Sequence, residues 1–89
     1  MADEYRVMCK VVDMTGGKHC DQGHFVGEEF EFKERGTDMC VWALTAVFPM
    51  YTMLKYGGSF PWESDADTAH AACPDAGNPV VFELRREKI

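Results

Sequence analysis

Positive charge is scarce in this chain: nine Lys and Arg stand against fifteen Asp and Glu, a net charge of −6. Nucleic-acid binders draw affinity from neutralising phosphates, so this balance argues against that class. It argues equally against docking on an anionic membrane surface. No run of eighteen apolar residues occurs, so no segment reads as a bilayer span. The opening MADEYRVMCK carries acids where a secretory signal needs a basic stretch and then an apolar run. A cytoplasmic protein with reduced thiols is therefore expected from its four cysteines. Cys-x-x-Cys is missing, and with it a thioredoxin-type redox motif. The Thr15-Gly16-Gly17 stretch lacks the spacing and the strand-to-helix context of a phosphate loop. The acids Glu63, Asp65, Asp67 and Asp75 lack the pattern of a calcium loop and read as a solvated face.

What is there is one small domain, residues 1–89, with the apolar (46%) and charged (27%) fractions of a globular protein rather than a disordered one. Residues 5–14 alternate, with Tyr5, Val7, Cys9 and Val11 on one side, and predict a strand with one buried face. A glycine-containing loop follows over 15–24. Residues 25–33 alternate again, with Phe30 and Phe32 together, and predict a second, antiparallel strand. Residues 80–86 predict a final strand with Val80, Phe82 and Leu84 inward. A short further strand is expected near 71–73, and Ser64 is expected to cap a short turn of helix. The expected class is α+β: a small antiparallel sheet or partly open barrel of three to four strands packed on one long apolar helix.

That helix is predicted over 39–56, with Thr37 or Asp38 as N-cap and Gly57-Gly58 at its end. Pro49 should bend it. From Met39 to Leu54 its only polar side chains are Thr45, Tyr51 and Thr52. An amphipathic surface helix would carry a charged face. A few short strands cover one side of a helix, so the other side needs company. A homodimer or higher oligomer through helix 39–56 is the expected answer, with an apolar ligand or another protein as alternatives. Trp42 and Trp62 are expected in the core or an interface.

Three cysteines fall at the ends of elements. Cys20 and His24 share one loop as Cys-x-x-x-His, Cys40 lies at the first turn of the helix, and Cys73 precedes a proline. Helix N-termini present unpaired N–H groups that favour a thiolate, so Cys40 is the leading reactive sulfur. Convergence of Cys20, His24, Cys40 and Cys73 would make a Cys3His metal set suited to zinc or iron. Two alternatives stand beside it. The first is that these are ordinary packed cysteines; the second pairs Cys40 or Cys20 with His24 as a catalytic thiol, with Asp21 or Asp38 as orienting group. Cys9, on an apolar strand face, reads as a small core residue. No catalytic residue is specified; the leading functional expectation is a small cytoplasmic binding or accessory protein, with a small-molecule ligand among its candidates.

Four segments carry a resemblance. GHFVGEEF (23–30), CVWAL (40–44), GGSFPWE (57–63) and ACPDAGNPVVFELRR (72–86) together resemble an uncharacterised repeat protein family of short bacterial and archaeal chains. The resemblance spans essentially the whole chain. Family members tend to show Cys-Pro-Trp where this chain has Cys40-Val41-Trp42, which implies a helix beginning there. It implies no activity.

Overall fold

A computed structural model describes residues 5–17, 19–20, 22–33 and 35–88. Two layers make the fold: a four-stranded antiparallel open sheet and one helix across one of its faces. The strands are β1 (Tyr5–Met14), β2 (Glu29–Phe32), β3 (Thr68–Ala72) and β4 (Val80–Lys88), and α1 (Val41–Lys55) stands between β2 and β3 in sequence. Sheet order is β2-β1-β4-β3. The first and last strands are thus the two central ones, running from Tyr5 opposite Lys88 to Met14 opposite Val80. The sheet is open, not a barrel.

Alternation decides which side is buried. Val7, Cys9, Val11, Phe30, Phe32, Phe82 and Leu84 point to α1, which answers with Ala43, Val47, Tyr51 and Leu54. Tyr51 stacks on Phe32 with ring centres 4.7 Å apart. The opposite face is charged: Arg6 stands 3.4 Å from Glu31 and 3.8 Å from Glu87, about half exposed on each side. Such pairs contribute little to stability, and their main effect is to keep that face in water. Among the described residues no helix is long and apolar enough to cross a membrane.

Several expectations shift. The helix has 15 residues, shorter at both ends than 39–56. Met39 turns into the core before the helix begins, and Cys40 is the N-cap. Thr37 caps nothing; its hydroxyl is buried without a hydrogen-bond partner. The second strand spans four residues because 25–28 fold into a turn, with Glu28 N–H returning to the Phe25 carbonyl at 3.0 Å. Residues 64–67 form no helix. Asp65, not Ser64, organises them, accepting from Asp67 N–H at 2.9 Å while its carbonyl takes Thr68 N–H. That backbone bond first, and the Arg85 guanidinium 3.1 Å away second, hold the Asp65 carboxyl below its ordinary range. Both tryptophans are surface residues, Trp42 66% and Trp62 68% exposed.

The end of α1 follows the glycine pair as expected. Gly58 N–H bonds the Met53 carbonyl and Gly57 N–H the Leu54 carbonyl, with Gly57 at φ 89°. These are the two bonds of a Schellman closure. A side chain on Gly58 would also collide with Met53.

One residue ties this end to the sheet. Arg86, its side chain 7% exposed, donates from Nε to Asp67 (2.9 Å), from NH1 to the carbonyls of Leu54 (3.2 Å) and Gly58, and from NH2 to Ala66 O (3.1 Å). Its guanidinium also lies 4.7 Å from the Tyr5 ring. A planar fork of five donors on three nitrogens reaches acceptors spread along its edges; an ammonium's three donors radiate from a single atom.

Candidate functional site

The other end of α1 opens on a cavity of about 350 Å³. Cys20, Cys40, Cys73 and His24 all line it, with Val80 and Phe82 among its apolar walls. Trp42, Gln22 and Asp75 complete much of the rest. The four residues singled out by position thus meet on one concavity, although they come from three separate segments.

Backbone contacts explain the meeting. The turn at 25–28 docks on β1 where its register slips: Gly27 N–H reaches the Val11 carbonyl at 2.8 Å and Val11 N–H the Glu28 carbonyl at 2.9 Å. That places His24 beneath the start of α1. Cys40 N–H donates to His24 Nε2 at 3.2 Å, and His24 Nδ1 donates to Glu28 Oε1 at 2.7 Å. Because Nε2 accepts, Nδ1 must carry the proton, so the hydrogen bonds assign the neutral Nδ1–H tautomer. The ring is buried edge-on between Phe30 and Phe82, 5.3 and 5.8 Å away. His24 is therefore a clamp that fixes the N-cap residue of α1.

The second clasp joins the loop after β1 to the β3–β4 hairpin. Thr15 N–H bonds the Pro79 carbonyl at 3.1 Å, and Asn78 Nδ2 donates to His19 O at 3.3 Å. Gly16 lies so close to this hairpin that a Cβ there would come within 2.6 Å of Asn78 Oδ1. Asp75 Oδ1 shapes the hairpin loop by accepting from Gly77 N–H (3.0 Å) and Asn78 N–H (3.3 Å). Cys20 and Cys73 are brought to one cavity by this clasp.

Two of the sulfurs take backbone donors. Cys40 Sγ accepts from Ala43 N–H at 3.4 Å, the bond a capping serine would make. Cys73 Sγ accepts from Val80 N–H at 3.2 Å, while Cys73 N–H bonds the Val80 carbonyl. All four cysteines are free thiols. Cys9 stays apart in the core, 1% exposed, and burial pushes its thiol up to about 12.

Among the described residues, no three His, Cys, Asp or Glu side chains stand grouped to hold one metal ion. His24 in particular has both ring nitrogens engaged. The same engagement leaves it no nitrogen turned to take a proton from a thiol, as a catalytic pair requires. Asp21 lies outside the described residues, and Asp38 is an exposed residue ahead of the helix. His19 and His70 are exposed, His70 between Glu63 (2.9 Å) and Glu83 (3.2 Å). The clamp role of His24 was not readable from spacing; its one signal is Glu28, four residues on.

No family model matches this chain, no curated protein matches it, and no solved structure matches it.

Proposed function

We propose that this chain is a small binding protein whose ligand occupies the cavity at the N-terminal end of α1. One observation carries the reading: three thiols from three segments border a single concavity with an aromatic and aliphatic wall. Its volume lies at the low end for small-molecule sites, so the ligand is metabolite-sized. The described lining holds no Lys or Arg, and its one carboxylate is Asp75. Among the described residues a phosphate or carboxylate ligand would find no cationic side chain there. A neutral or cationic molecule with a thiophilic or aromatic part fits the lining. The reading carries with it a reducing compartment, the cytoplasm, in which the thiols persist. Two of the thiols, Cys40 and Cys73, fall in the segments whose sequence resembles the short repeat protein family.

A fragment screen followed by amide chemical shifts tests this directly. Hits should perturb Cys40, Ala43, Cys73 and Val80 together and slow alkylation of Cys40 and Cys73 by iodoacetamide. Hits that perturb other surfaces alone, or none in a broad neutral and cationic set, end the proposal.

A second reading keeps the same sulfurs and exchanges the organic ligand for a soft metal ion, zinc or iron. It is favoured by the sulfur count, since thiolates select such ions. Cys20, Cys40 and Cys73 would supply sulfur, and His24 would have to release Cys40 N–H to join them. Anaerobically purified protein holding less than about one tenth of an equivalent of metal rejects it.

A further inference from the structure

The outer face of α1 is uncovered. At about 100° per residue, every exposed position from Val41 to the C-cap Tyr56 falls within one arc of about 140°. No position on that arc is charged. Phe48 is 55% and Tyr56 66% exposed, and Trp42 is equally open. Together the side chains of the arc expose on the order of 800 Å² to water, which is about what one partner contributes to a standard-size interface.

Two observations say what covers it. The first is charge. A chain at −6 repels its own copy wherever acids are exposed, and this arc holds none. The second is order. About a Phe48-Pro49 centre, Thr45 and Thr52 are equidistant and so are the end positions Val41 and Tyr56, while Trp42 and Met53 fill the space between on either side. A two-fold contact requires a patch complementary to itself, and this pattern is; an unrelated partner would impose no such symmetry.

We propose that two copies of this chain pair through α1, antiparallel about a two-fold axis at Phe48-Pro49, so that Thr45 of one copy faces Thr52 of the other and Tyr56 lies against Val41 and its neighbour Trp42. The threonines hold their hydroxyls against their own helix, Thr45 on the Trp42 carbonyl (2.6 Å) and Thr52 on the Phe48 carbonyl (3.1 Å). They therefore present methyl groups outward, and their small size permits close approach of the two axes. Trp42 also lines the cavity, so Tyr56 of the second copy stands at the cavity rim. The pairing does not depend on what the cavity binds.

Sedimentation equilibrium of the full chain at micromolar concentration should give twice the chain mass. Phe48→Glu, at an exposed position, should give a monomer with an unchanged far-ultraviolet circular dichroism spectrum. Thr45→Lys and Thr52→Glu should each weaken dimerisation by about tenfold or more, since each buries an unpaired charge. The double variant should recover most of that loss, because the antiparallel register sets Lys against Glu twice. A native chain that stays monomeric overturns the proposal, as does a dimer indifferent to Phe48→Glu. A double variant weaker than both single ones overturns the antiparallel register, since parallel pairing sets Lys against Lys.

Discussion

The two ends of α1 are built on opposite plans. At its C-terminal end the donors and acceptors account for one another: Arg86 serves three carbonyls and Asp67, and Gly57 and Gly58 close the last turn. At its N-terminal end the cap is a sulfur, a histidine replaces a backbone partner, and a cavity remains. Buried polar groups in a fully satisfied network fix geometry at little risk. A thiol cap is a weaker acceptor than a hydroxyl, and nothing in the helix requires it. The difference teaches that one end is closed by a full set of hydrogen bonds, whereas the other is capped by a weaker acceptor that borders an open space.

Substitutions can break that contrast. Arg86→Ala should cost most, about 3 kcal/mol, because it takes this donor from the Gly58 and Ala66 carbonyls, leaves the Leu54 carbonyl with Gly57 N–H alone and empties the space of a buried side chain. The exposed Asp67 carboxylate contributes little to that figure. Arg86→Lys should recover less than half, since one ammonium cannot reach all of these acceptors. Urea unfolding reads both. His24→Ala should cost about 2 kcal/mol by orphaning Cys40 N–H, and Glu28→Gln less, since an amide can still accept from Nδ1–H. If His24→Ala proves as costly as Arg86→Ala, the two ends are equally structural and the contrast fails.

Smaller effects sharpen it. Gly57→Ala should cost about 1 kcal/mol through its left-handed backbone. Cys9 supplies an alkaline signature. Its folded thiol titrates near 12 against 9.0 when unfolded. The folded state therefore holds its proton longer. The contribution is whole below about pH 9 and is lost as pH climbs towards 12, roughly 1 kcal/mol gone by pH 10. Unfolding midpoints of Cys9→Ala should fall less steeply over that range. Cys40→Ser should change stability by less than about 0.5 kcal/mol, because serine caps at least as well. It should nonetheless abolish ligand or metal uptake at the cavity. Unaltered uptake would make the Cys40 sulfur dispensable.

The strands were legible because alternation is a local signal. Val7, Cys9 and Val11, then Phe30 and Phe32, then Val80, Phe82 and Leu84 occupy the predicted face. Cys20, His24, Cys40 and Cys73 stood out only through a coarse cue, their position at element ends, and spacing did not say that they line one cavity. Other features were hidden because they depend on tertiary partners. Arg86 continues the inward alternation of β4, yet a charge there reads as outward until its carbonyl partners are known. The helix start was misread because Thr37 and Asp38 are better caps than Cys40 by intrinsic preference. Burial of Met39 outweighs that preference and shifts the first turn.

Sheet order has a consequence for biosynthesis. The strand made first pairs along its whole length with the strand made last, from Tyr5 opposite Lys88 to Met14 opposite Val80. During translation β1 can pair with β2 early, but its other edge must stay open until β4 has left the ribosomal tunnel. Loop closure over such a separation is slow compared with helix formation. The apolar segment from Val41 to Lys55 is complete well before that moment, and until then it has only β1 and β2 to lie against.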